Sequence, residues 1–291
     1  MAEANVIFDN YIYNNANSYN KEEWVNKMKE LRSELHDMSK SKLNVISRDM
    51  NALANYLRIQ SKFNLYSVNN CLLIMAQMPN ATYFKDKKSW EKDGYIVKRQ
   101  DKGFHIFESE PYVTEDGSSG VYYNPKKVYD ITYTNAPLGK FDRLNLSEKE
   151  VLSSLVSSCP MKLVPVDKIE GTQKSALYNK DQNCIYVAKG REVKEIIQDL
   201  VLEESKMYMI ANGYEENSVD FNALCISYMF CRKNGVDFPK EEFTKVENQF
   251  SKMEIDEIKL ELNTIRDTFE NINSRMVNYI QQEKKSKEQV R

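Results

Sequence analysis

Histidine is almost missing. The 291 residues hold only His36 and His105, which are too far apart in sequence for a close-spaced two-histidine zinc motif. Glycine (9) and proline (7) are also scarce, together under half their usual share of about 12%. Few turns are therefore encoded, which favours long helices over a many-stranded β protein. The five cysteines, Cys71, Cys159, Cys184, Cys225 and Cys231, are odd in number and contain no CxxC pair. With no secretory signal at the N-terminus, they read as reduced intracellular thiols. The longest apolar run, Cys71 to Met78, falls well short of the ~20 residues that span a bilayer. No membrane association is expected, and a cytoplasmic location is. G-x-x-x-x-G-K-[ST], G-x-G-x-x-G and G-x-S-x-G are all absent, so no phosphate loop, dinucleotide turn or nucleophile elbow is encoded. Charge of one sign is lacking too: 41 Lys and Arg face 43 Asp and Glu, which gives no global basic field.

What is present is enough apolar matter, 41%, for roughly two domains. Residues 1–20 are Asn- and Tyr-rich without periodicity and read as a flexible arm. Trp24, Met28, Leu31, Leu35 and Met38 make a helical stripe, and Val45, Met50, Leu53, Tyr56, Leu57 and Ile59 make a second. A third, buried helix starts with Ser67 as its cap and stops at Pro79. After Pro79 come a short helical piece, strands near Tyr95–Lys98 and Phe104–Phe107, a loop at 115–120, and the strand-rich "VYYNPKKVYDITYT". A second unit opens at Ser147, three residues before Glu150, the signature of a capping box. It continues with a strand at 162–166, a strand pair at 176–178 and 184–187, and helices at 193–211 and 220–233. Cys225 and Cys231 fall on the last of these and read as free core thiols. From Phe243 through Ile280 apolar residues keep spacings of three and four, with a slip after Met253. This predicts a long amphipathic helix or coiled-coil arm, ending in a polar tail, 281–291, that should fray. The fold class is α+β, with expected segments 1–20, 21–142, 146–240 and 241–291.

Between Thr82 and Lys102 stand seven cations, Lys85, Lys87, Lys88, Lys92, Lys98, Arg99 and Lys102, against four carboxylates. Tyr83, Phe84, Trp90, Tyr95 and Phe104 are interleaved with them or adjoin them. Single-stranded nucleic acid calls for this mixture, with cations for phosphates and flat rings for unstacked bases. The same aromatics also suit a helix–sheet core, and the lysines a solvated face. Gly94 and Gly103 read as turn residues needing positive φ.

The stretch "NNCLLIMAQMPNATYFKDKKSWEKDGYIVKRQDKGFHIFESEP" resembles the N-terminal domain of ArdC-type antirestriction proteins of plasmids and conjugative elements. The matching positions are Asn70, Leu73, Ile74, Gln77, Phe84, Trp90, Gly94, Val97, Lys98, Lys102 and Gly103, with "KKVYDITYTN" as the closing strand. The resemblance covers about residues 25–140. It implies single-stranded DNA as partner, bound largely without sequence preference, and Lys85, Lys87, Lys88, Trp90, Lys98, Arg99, Lys102 and Phe104 are the residues expected to contact it.

Proteins of that family usually carry a second, zinc metallopeptidase domain with H-E-x-x-H. Here the corresponding residues are Leu202-Glu203-Glu204-Ser205-Lys206. Leucine has no lone pair and protonated lysine repels a cation, so Glu203 and a possible third group, Asp220, are left without imidazoles. A degenerate zincin-like domain is expected, with no metal, no cofactor and no enzymatic activity, and with Glu203–Lys206 as an ordinary helix-surface pairing. The expected function is single-stranded DNA binding for a mobile element, protecting transferred DNA. The alternative is an adaptor acting on a partner protein, or on a second copy, through the C-terminal helix.

Overall fold

The computed structural model describes residues 21–114, 116–139 and 145–289. The expected arm at 1–20 and the boundary expected near Phe141 lie outside these. The chain divides into two compact units, Met1–Leu43 with Leu72–Asp142, and Asn44–Cys71 with Arg143–Arg291. The linear boundary at 142 therefore differs from the observed division, in which residues 44–71 group with the C-terminal part. The reason is packing. Helix α2 (Met50–Lys62) lies against α7 (Asp220–Asn234) and α8 (Lys240–Thr244).

Helix α1 (Lys21–Ile46), which belongs to the first unit as far as Leu43, runs beyond the Glu22–Met38 stripe, with buried apolar residues continuing at Leu43 and Ile46. Its Val25 and Met28 pack on Tyr112 and Tyr122. Leu31, Leu35 and Met38 pack on Phe107 and on Leu73 of α3 (Val68–Gln77). Helix α3 starts as its residues dictate, with the Ser67 hydroxyl accepting from Asn70 N at 3.2 Å, and Pro79 follows its end. Strands β1 (Phe84–Lys85), β2 (Phe104–Val113) and β3 (Ser119–Asp130) form an antiparallel sheet in the order β1-β3-β2. β2 and β3 are one long hairpin, paired from Phe104↔Val128 to Val113↔Ser119. The Gln77 amide closes the backbone of β2 at His105, donating to its carbonyl at 2.8 Å and accepting its N–H at 3.0 Å. Asp130, fully buried, accepts from the N–H groups of Thr82 (2.6 Å), Tyr83 (3.3 Å) and Thr132 (3.0 Å) and ties both ends of the sheet segment together. The strand expected at Tyr95–Lys98 shrinks to a single bridge, Val97↔Thr134.

In the second unit, α5 (Glu148–Ser158) carries the complete Ser147–Glu150 capping box. Strands β4 (Lys162–Val166), β5 (Ala176–Asn179) and β6 (Cys184–Ala188) form a mixed sheet in the order β4-β6-β5. Helices α6 (Val193–Ala211) and α7 follow, and α7 ends at Gly235 in the left-handed region, φ 69°. The slip after Met253 is a real break. α8 gives way to a 3₁₀ turn at Gln249–Lys252 and then to α9 (Ile255–Gln289). The α9 stripe of Ile258, Leu262, Ile265, Phe269, Ile272, Met276 and Ile280 is buried, packed against α2, α5, α6 and α7. It has found its partner inside its own unit, so it is not the free adaptor or self-association surface read as an alternative. The tail stays helical as far as Gln289, with residues 281–286 exposed on every side.

Candidate functional site

The cations of the first unit are gathered by α4 (Lys87–Lys92), the 3₁₀ turn Gln100–Lys102 and β3. Helix α4 is capped by Asp86, whose carboxylate accepts from the Ser89 N–H (2.9 Å) and hydroxyl (2.7 Å). Burial raises the Asp86 carboxyl, but the Ser89 bonds and the Lys126 ammonium outweigh it and hold it down to about 2. The cap places Lys87 so that its ammonium reaches the Gln100 side-chain oxygen at 3.4 Å, while Lys127 donates to the Gln100 carbonyl at 3.1 Å. The turn adds exposed Lys102, and exposed Arg99 and Lys98 precede it.

These cations differ in what neutralises them. Lys85 is paired with Asp93 at 2.5 Å and Lys126 with Asp86 (3.3 Å) and Glu108 (2.5 Å). Arg99 is held by Asp101 at 3.0 Å, and Lys87 is loosely paired with Glu91 at 3.9 Å. Among the described residues, Lys88, Lys92, Lys98, Lys102 and Lys127 form no ion pair. Lys127 lies over the Tyr129 ring at 5.7 Å and faces His105 across the sheet. Burial and then the Lys127 charge pull the His105 pKa down. Lys127 escaped the sequence reading, although it stands in the quoted closing strand.

The expected base platforms lie elsewhere. Trp90 is 0% exposed, donates its indole N–H to the Tyr129 carbonyl at 2.9 Å, and meets Tyr83 and Tyr95 edge-on. Phe104 is 4% exposed and packed edge-on against Phe84. Neither ring offers a face to a base. Tyr123, at 59% exposure, does. Four residues from Lys127 on β3, it points to the same side of the strand, about 13 Å away along it. Gly94 has the expected positive φ of 84°, but Gly103 does not. A Cβ at Gly103 would lie 2.5 Å from the Lys127 side chain and 2.7 Å from the Tyr129 ring, so the glycine serves close approach.

In the second unit, Glu203 of α6 is 2% exposed. It accepts from Lys174 Nζ at 2.8 Å and from the Tyr178 N–H of edge strand β5 at 3.1 Å. Lys206 lies 3.5 Å from the same carboxylate and 2.5 Å from Asp220 of α7. Glu203 is buried and Lys206 mostly covered, while Asp220 is exposed, so the pairing read from the sequence as a helix-surface contact runs inward from the surface to a buried carboxylate. Asp199, one turn back, accepts from Ser175 N at 2.5 Å, and burial raises its carboxyl. The donor set does not fit zinc: two carboxylates come with no nitrogen or sulfur ligand, and the Lys206 ammonium occupies the position beside both. Among the described residues, no group of three or more His, Cys, Asp or Glu side chains could hold a metal ion, and no helix is long and apolar enough to cross a membrane. Glu204 points the other way, fully buried and paired with Arg275. The thiols of Cys159, Cys225 and Cys231 are raised by burial, that of Cys159 to about 11, which leaves them poor nucleophiles.

No protein-family model and no curated protein matches the sequence. Two crystal structures of the antirestriction ArdC protein from plasmid R388 are similar to the chain. Its metal-free form is 14% identical with a TM-score of 0.49, and its Mn(II)-bound form is 13% identical with a TM-score of 0.50. Each comparison covers 73% of this chain and 86% of the ArdC chain. At that identity the likeness is one of fold: the chain has an α+β architecture similar to that of the Mn(II)-bound ArdC protein.

Proposed function

We propose that the chain binds single-stranded DNA for a mobile genetic element, shielding transferred strands from restriction, and that it has no metallopeptidase activity. The observation that carries this reading is the gathering of Lys87, Lys98, Arg99, Lys102 and Lys127 around the Gln100 turn, with Lys98, Lys102 and Lys127 in no ion pair among the described residues. Unneutralised ammonium groups on a folded edge attract phosphates, and release of condensed counterions drives the association. Tyr123 supplies the exposed ring on which a base can stack. Lys88 and Lys92 extend the cationic field along α4. The antirestriction activity named for the R388 protein of similar fold supports the biological setting. The absence of imidazoles at Leu202 and Lys206, with an ammonium beside Glu203, supports the lack of zinc-peptidase chemistry.

Fluorescence anisotropy with a labelled single-stranded oligonucleotide, titrated from about 50 to 200 mM salt, tests the reading. Each phosphate neutralised contributes a slope near −0.7 in log K against log salt. A variant carrying K98A, R99A, K102A and K127A is expected to bind about 10- to 100-fold more weakly, with a slope flatter by about three units and an unchanged melting temperature. A parent protein that does not bind at ~50 mM salt, or a variant with the parental slope, removes this interface.

A further inference from the structure

The carboxylate network of the second unit has a feature that degeneration alone does not explain. A site that had lost a cation and gained nothing in its place would leave its carboxylates without a charge partner. Here one ammonium lies between two of them. Lys206 Nζ is 3.5 Å from Glu203 Oε1 and 2.5 Å from Asp220 Oδ1, so the two carboxylates share this one ammonium. The Lys206 side chain is 17% exposed and that of Glu203 2%, while Asp220 meets solvent at 68%. Lys174 adds a second ammonium to the same Glu203 oxygen at 2.8 Å. Burial alone lowers the Lys206 pKa, yet Asp220 and Glu203 reverse that and raise it, so the amine stays charged throughout the neutral range.

The three elements joined in this way come from distant parts of the sequence: the segment leading into β5, helix α6 and the N-terminus of α7. Glu203 binds β5 through the Tyr178 N–H, and Lys206 joins α6 to α7. A divalent ion held by the two carboxylates would make the same connection, with two positive charges supplied from solution. The chain makes it with two charges of its own.

We infer that Lys206, assisted by Lys174, is a built-in cation that takes the structural place of a bound divalent metal between Glu203 and Asp220, leaving the fold of this unit independent of metal. The inference does not depend on the DNA-binding reading. It goes beyond the absence of peptidase activity by assigning the lysine a task.

Thermal unfolding of the full chain, followed by circular dichroism with EDTA or with about 1 mM MnCl₂, tests it. The parent is expected to melt at the same temperature in both. Lys206→Met leaves a buried carboxylate short of its charge partner and should melt about 10 °C lower, with Mn(II) restoring part of the loss by mass action. Glu203→Gln combined with Lys206→Met removes both charges and should melt above the single Lys206→Met variant, which separates charge from lost packing. If Lys206→Met does not fold in EDTA, the combined variant should still do so. Leu202→His with Lys206→His places imidazoles beside Glu203 and Asp220 and should gain a Mn(II)-dependent rise in melting temperature. Parental melting of Lys206→Met, a Mn(II) shift in the parent, or no recovery in the combined variant each overturns the inference.

Discussion

The two units use lysine in opposite ways. In the first, Lys98, Lys102 and Lys127 surround a turn and form no ion pair among the described residues. In the second, Lys174 and Lys206 are spent on Glu203 and Asp220. The side chain is the same, and so is its charge. What differs is the distance to the nearest carboxylate and the depth at which the pair sits. A cation in water with no partner is available to a phosphate, whereas a cation wedged between two acids is part of the scaffold. Lysine counts along a sequence therefore say little about binding until the acids are located in space.

The strongest way to break this contrast is to dismantle the scaffold half. Leu262→Asp with Phe269→Asp places two charges in the buried seam of α9. Each buried apolar side chain of this kind is worth about 1.5–3 kcal/mol, and each uncompensated charge costs several more. The double variant is expected to lose the cooperative unfolding transition of the second unit in circular dichroism. A soluble variant with the parental melting curve would mean that the stripe contributes no core.

A smaller effect separates packing from binding in the first unit. Trp90→Ala should cost about 3–5 kcal/mol, read from urea unfolding, because it leaves a cavity and an unpaired Tyr129 carbonyl. Trp90→Phe should cost less and keep DNA affinity within about twofold, since the ring touches no ligand. Loss of binding by a well-folded Trp90→Phe protein would return the indole to the interface and shift the emphasis away from Tyr123.

The smallest expected effect sharpens the contrast from the charge side. Asp101 holds Arg99 at 3.0 Å, and both groups are exposed, so the pair is worth little by itself. Asp101→Ala should free the guanidinium and raise single-strand affinity about two- to threefold in low salt, with no change in melting temperature. Unchanged or weaker affinity would show that Arg99 stands outside the phosphate path.

Local signals proved legible wherever a few neighbouring residues were enough. Ser147 with Glu150, Ser67, Pro79 and the stripes of α1 and α9 each act within one or two turns of helix, and the elements start, stop and face inward accordingly, except that Trp24 at the head of the α1 stripe is 41% exposed. The α+β class followed from the same reasoning. Legibility ended where a role depends on residues far apart in sequence. Trp90 reads as an exposed platform or as core with equal ease until Tyr129, thirty-nine residues later, accepts its N–H. Gly103 looks like a turn residue until Lys127 and Tyr129 cross over it.

By itself, then, the sequence determined the helices, the capped boundaries, the lack of a histidine metal motif and the surplus of cations between Thr82 and Lys102, because propensity, periodicity and charge are properties of short stretches. Only the tertiary structure decided which cations are free and which are buried beside acids, which rings are core, and that residues 44–71 pack with the C-terminal helices. Those outcomes rest on contacts between residues far apart in sequence, such as Lys174 to Glu203, 29 apart, and Lys127 to Gln100, 27 apart. Coulomb energy and burial depend on distance in space, and separation along the chain does not reveal that distance.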